Sequence, residues 1–344
     1  MTGIALLGAG IFAREQHLPA IEACDSLSLK AIYSRSKASA ESLRSVSSSR
    51  PDIYFDSPSS PETTLDALLA RPDIHAVVIA LPIVSQPEYI KKALSAGKHV
   101  LSEKPIAKDV DTARELLGWY DQLGAARPMW GVAENWRFWE TIDFARRKIG
   151  EIGGEVVTFG FEMFTFMGPE NKYFNTAWRQ APEYQGGFVL DAGVHFVAGL
   201  RALLASANDS ITSLTARTAL LQPRLLPVDT LHGLLTTRSG RSGTFSACFA
   251  SEHKGGMSLE VVTTEGSVRV SPVDVVVSKG GTEERSEFSR DPGVKAEVRA
   301  FAEAVGRGES DDRLSPQEAL RDLVVLQGML ESGEAGGAVK GVEA

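Results

Sequence analysis

Lys104 stands between Glu103 and Pro105, and further along the chain Asp191 and His195 stand four residues apart. Two short segments therefore hold an amine, a carboxylate and an imidazole. A lysine ammonium or an imidazolium can give a proton to a developing alkoxide and take it back in the reverse reaction. An Asp and a His at i and i+4 share one face of a helix. Each part also has a plainer use: Lys104 can pair with Glu103 at the surface, and Asp191 can cap a helix while accepting a hydrogen bond from His195. The other histidines, His17, His75, His99, His232 and His253, lie in contexts that suggest no role.

Near the N-terminus, Gly8-Ala9-Gly10-Ile11-Phe12-Ala13 follows the apolar run Ile4–Leu7 and fits G-x-G-x-x-G/A between a strand and a helix. The first glycine allows the tight turn, and the second lets backbone approach a pyrophosphate held at the helix N-terminus. The end of the next strand then selects the cofactor. An acid there suits the ribose 2′-hydroxyl of NAD, whereas a small residue followed by Arg suits a 2′-phosphate. Here Ser34 can donate to the phosphate, Arg35 can pair with it and stack on adenine, and Lys37 adds charge, so NADP(H) is the expected cofactor. A solvated Arg35/Lys37 loop pair is the alternative. A dinucleotide turn combined with proton-transfer groups points to hydride transfer.

The elements that must position these groups divide the chain. Residues 1–135 alternate apolar runs with helical patterns: strands at Ile4–Leu7, Leu29–Tyr33, Ala76–Ala80, His99–Leu101 and Met129–Ala133, helices at Pro87–Ala96 and Val110–Leu123, and a short exposed helix within Ser34–Ser49. This is the pattern of a Rossmann doubly wound parallel sheet. Residues 136–344 read as an α/β domain for substrate binding and oligomerisation, with a mostly antiparallel open sheet. Its strands are Glu155–Phe166, Ile211–Leu221, Thr230–Thr237, Thr244–Ala250, Met257–Val262, Ser267–Val270 and Val273–Val277. A helix opened by Asp191 covers one face, helices at Lys295–Val305 and Pro316–Leu330 close the chain, and the open face predicts a homodimer.

A chain of 344 residues fits two domains, and 43% apolar with 23% charged residues lies in the globular range. A net charge of −8 argues against a nucleic-acid partner, and no run approaches the roughly 18 uninterrupted apolar residues of a membrane span. Ile4–Leu7 runs into a glycine turn with no basic region before it, unlike a signal peptide, so a cytoplasmic location is expected. Cys24 and Cys248 lie far apart, each without a nearby Cys or His, which predicts neither a disulfide nor a metal site.

Taken together, the glycine turn, Ala96–Pro105, Val132-Ala133-Glu134-Asn135, Gly193-Val194-His195 and Ser315–Leu320 resemble the glucose–fructose oxidoreductase, inositol dehydrogenase and MocA (Gfo/Idh/MocA) family. Gly10–Arg14, Gly131–Trp136, and Asn171-Lys172-Tyr173 with Trp178-Arg179-Gln180 look most like a fungal NADP(H)-dependent branch. The resemblance implies that Lys104 and His195 face a small sugar-like, aldehyde or dihydrodiol substrate, with Asp191 holding or polarising them. It also implies cofactor contacts from the Leu81-Pro82 loop, Glu103 and Asn135; with the turn and strand-end residues read above, the expected cofactor set is Gly8, Gly10, Ile11, Phe12, Ala13, Ser34, Arg35, Lys37, Leu81, Pro82, Glu103, Lys104, Asn135, Trp178 and Arg179. Where many members carry a His after the Pro of that loop, this chain has Gln86. The aromatic segments Trp136–Trp139 and Phe161–Phe166 can wall a substrate pocket or fill the core. A non-catalytic NADP(H)-binding sensor is the rival reading, against which the retained Lys104, Asp191 and His195 argue.

Overall fold

The computed structural model describes residues 1–342, whose contacts group them into two compact units. Unit 1 takes Met1–Glu134 together with Val294–Ala319; unit 2 takes Asn135–Gly293 and the chain from Leu320 on.

In unit 1 six strands pair in parallel: β1 (Thr2–Leu7), β2 (Leu27–Tyr33), β3 (Asp52–Tyr54), β4 (Ala76–Ile79), β5 (His99–Glu103) and β6 (Trp130–Ala133), in the order β3-β2-β1-β4-β5-β6. Ile4, Ala5, Leu6 and Leu7 are fully buried, because helices cover both faces and leave the central strand no polar side to present. The reversal in strand order falls between β1 and β4, and the crevice outside the carboxyl ends of such strands is where this fold binds ligands. The helix that follows β1 contains a π-helical stretch, Ala13–His17, before continuing as Leu18–Glu22. A single cut after residue 135 would assign Val294–Ala319 to the second domain. Instead the helix Val294–Arg307 packs on Leu18–Glu22, and Leu314 comes close enough to Gly131 that a Cβ there would lie 3.2 Å away.

Unit 2 is built on nine strands: β7 (Val156–Phe164), β8 (Ile211–Ala219), β9 (Thr230–Thr237), β10 (Ser242–Cys248), β11 (Gly256–Thr263), β12 (Gly266–Val270), β13 (Asp274–Lys279), β14 (Thr282–Glu287) and β15 (Lys340–Gly341). Their order is β14-β13-β12-β11-β7-β10-β9-β8-β15, antiparallel except where β7 runs parallel to β10. Alternation is clear on β11, where Met257, Leu259 and Val261 are buried and the residues between them face outward. The helix Gly187–Ser206 lies inside this unit; by length and composition alone it could cross a membrane, and its burial identifies it as a core helix. The helix Glu140–Ile152, which buries Ile142, Ala145 and Ile149, was not anticipated from the sequence.

Candidate functional site

Backbone geometry makes the candidate site in unit 1. Gly8 has φ +116°, and a Cβ there would lie 2.2 Å from the Ala80 carbonyl oxygen, so no side chain fits. Its amide donates to the Tyr33 carbonyl at 2.9 Å, tying the turn to the end of β2. A Cβ on Gly10 would meet nothing within 4 Å. That open space above a helix start is what a pyrophosphate requires. Ile11, Phe12 and Ala13 open the helix, and Leu81, followed by Pro82, approaches the same turn, its Cδ2 lying 3.4 Å from the Cβ position of Gly8. Beyond Pro82, the Gln86 side chain is fully buried and neither amide atom has a hydrogen-bond partner. A buried empty amide is costly, and a polar ligand group would relieve it. On these observations the cleft fits a dinucleotide.

Past the end of β2, Ser34 is half-buried and Arg35 is exposed. Lys37, exposed at the start of the helix Lys37–Arg44, lies 3.8 Å from Glu41 and over the Phe55 ring. An acid also approaches this strand: Tyr33 donates to Asp56 at 2.8 Å. Burial first, then hydrogen bonds with Tyr89 and Asp56, push the Tyr33 hydroxyl far above its ordinary range.

Glu103 ends β5, and Lys104 follows half-buried, joined to Pro105 by a cis peptide bond. One carboxylate oxygen of Glu103 lies 2.6 Å from Nε2 of His17, which is completely buried and has Phe12 edge-on at 5.3 Å. His17 therefore belongs to this cluster, contrary to its unremarkable sequence context. Nothing local signals the contact, because the partners are 86 positions apart.

Unit 2 has a candidate cluster of its own, made of side chains. Asp191 and His195 lie on the helix Gly187–Ser206, entered by Gly186 in the left-handed conformation at φ +81°. The helix begins four residues before Asp191, so this carboxylate sits in the second turn and does not cap the helix as its position in the sequence suggested. It accepts from Nε of Arg179 at 2.8 Å, and the guanidinium lies 4.0 Å from the Trp178 ring. Trp178 and Arg179 are thus gathered with Asp191. The Tyr184 hydroxyl is buried without a hydrogen-bond partner, and burial, then the charge of Asp191, hold it above its ordinary range. His195, half-buried, stacks on Trp136 with the rings 8° from parallel. Trp136 is held by its neighbours: Arg137, together with Arg201, donates to the buried Asp322, and Asn135 donates to the Pro292 carbonyl at 2.6 Å. Phe161 is fully buried against Phe196 and Phe245 and belongs to the core, whereas Phe164 is half-buried and Phe166 exposed. Among the described residues, no three His, Cys, Asp or Glu side chains cluster closely enough to hold a metal ion.

Known proteins match both units. Residues 2–126 match an oxidoreductase family with an NAD-binding Rossmann fold, and residues 146–340 match the C-terminal alpha/beta domain of that oxidoreductase family. Dehydrogenase FPY6 of Fusarium mangiferae is 48% identical over 345 residues, covering 99% of each chain. An uncharacterized protein of Saccharomyces cerevisiae is 30% identical over 353 residues, covering 97% of this chain and 96% of its own. Among solved structures, an oxidoreductase of Thermotoga maritima superposes with a TM-score of 0.87 at 28% identity, covering 99% of this chain and 98% of that one.

Proposed function

Because the chain belongs to the Gfo/Idh/MocA family of oxidoreductases, we propose that it is an NADP(H)-dependent enzyme interconverting a small carbonyl compound and the matching alcohol, with Lys104 as acid/base. The observation that carries this reading is the link between the glycine turn and the proton-transfer group: His17, on the helix that follows the turn, holds the residue immediately before Lys104. When bound, the nicotinamide supplies or accepts the hydride. The protein's own groups do the rest. The Gly8–Ala13 turn holds the pyrophosphate, Leu81, Pro82, Glu103 and Asn135 add cofactor contacts, and Lys104 gives a proton to the substrate oxygen in reduction and removes it in oxidation. His195, backed by Trp136, is the second candidate for that proton, and the Asp191–Arg179 pair fixes the helix face from which it projects. The substrate class is sugar-like, aldehyde or dihydrodiol, and following NADPH absorbance against a panel of these compounds tests it. No oxidation of NADPH by any of them would leave the non-catalytic sensor as the better reading.

The preference for NADP(H) rests on Ser34, Arg35 and Lys37 at the end of β2. A charge-assisted pair with the 2′-phosphate should favour NADPH over NADH by about tenfold or more. Arg35→Asp should shrink or reverse that ratio in paired titrations, and equal or tighter NADH binding by the unaltered protein would contradict it. The open sheet face of unit 2, on which Leu234 is about half-exposed, is proposed as the contact of a homodimer, and sedimentation at monomer mass would remove that contact.

A further inference from the structure

We infer that His17 is a positioning residue for the nicotinamide half of the cofactor: its ring engages one oxygen of Glu103 and leaves the other for the nicotinamide ribose. The inference rests on the NADP(H) reading above. Opposite a carboxylate, Nε2 must carry the proton and donate, which makes this a short, charge-assisted bond. Nδ1 has no hydrogen-bond partner although the ring is completely buried. A histidine retained only for packing satisfies both nitrogens or gives way to an apolar residue, since each empty polar atom in the interior is costly. Here the polar function of the ring is directed at Glu103. The backbone is shaped for it as well: His17 closes the π-helical stretch Ala13–His17, and π-bulges of this kind concentrate at functional sites. The contact joins two carboxyl-end segments of the sheet, the helix that starts at the glycine turn after β1 and the end of β5, with β4 between them. A group that binds the pyrophosphate end and a group expected at the nicotinamide end are thereby set in one frame.

The test separates the two halves of the cofactor. Adenosine 2′,5′-bisphosphate carries the adenine, ribose and 2′-phosphate but no nicotinamide riboside. His17→Leu should weaken NADPH binding by about tenfold or more, the worth of a lost hydrogen bond to a charged group, and leave binding of the bisphosphate unchanged. His17→Gln, whose amide N–H can take the place of Nε2–H, should keep most of the NADPH affinity. Glu103→Gln, which preserves the acceptor towards His17 while removing the charge, should show the same selective loss as His17→Leu. In the unaltered protein, ring-nitrogen NMR should report an Nε2–H tautomer for His17 that responds to NADPH and not to the bisphosphate. Equal losses for both ligands in His17→Leu, with His17→Gln no better, would make His17 a prop of the glycine-turn helix and overturn the inference, as would a His17 signal indifferent to NADPH. Full NADPH affinity in His17→Leu would defeat the inference alone. Failure of the unaltered protein to bind NADPH would defeat the cofactor reading, and the inference with it.

Discussion

The cradle in unit 1 is made by backbone, and the cluster in unit 2 by side chains. At Gly8 the requirement is geometric: φ is +116° and the Ala80 carbonyl occupies the place a Cβ would take. At Asp191 the requirement is electrostatic: a carboxylate with a few per cent of its surface exposed faces Arg179, which in turn lies over Trp178. The two kinds of construction fail differently. A backbone cradle tolerates almost any neighbouring side chain and no methyl group at its turn, whereas a side-chain cluster tolerates changes of shape and not the loss of one charge.

The sharpest way to break this contrast is Gly8→Val. The substitution forces a β-branched residue into a positive-φ position already filled by a carbonyl, and NADPH affinity should fall by about a hundredfold or more. Retained affinity, measured by titration on a variant shown to be folded, would mean that the turn is not the cofactor cradle. Asp191→Ala should act on stability first, leaving Arg179 partly buried without this partner, at a cost of roughly 3 kcal/mol in denaturant unfolding. Arg179→Met in the same background should recover part of the loss, and no recovery would show that the pair is not a coupled unit.

A smaller effect sharpens the comparison from the side of pH. Each unit carries a phenol whose ionisation burial opposes, Tyr33 in unit 1 and Tyr184 in unit 2. Because the folded value is raised above the ordinary one of about 10, their contribution is present in full below about pH 10 and is lost as pH rises through the folded value, by at most about 1.4 kcal/mol per pH unit for each group. Tyr184→Phe should flatten this alkaline decline, and an unchanged slope would remove Tyr184 as its source.

What was legible in the sequence follows the same division. The parallel sheet, the glycine turn and the mostly antiparallel second sheet were readable because hydrophobic period and glycine placement are local signals. Three-residue β3, led in by Pro51, and β14, whose sequence Thr-Glu-Glu-Arg-Ser-Glu has no apolar alternation, were not, since both are edge strands with little to bury. The position of Asp191 in the second turn was hidden because Gly186-Gly187 starts the helix earlier than the first charged residue suggests. The role of His17 was hidden for a different reason. Its partner is set by sheet order, which places the ends of β1 and β5 near one another only after folding.

The proposed proton transfer depends most directly on Lys104. Once a substrate is found, turnover and NADPH affinity should be measured side by side for the unaltered protein and Lys104→Met. If Lys104 is the acid/base, turnover should fall roughly 10²- to 10⁴-fold, the worth of a positioned acid/base, with a much smaller change in NADPH affinity. Near-normal turnover in Lys104→Met would contradict that role.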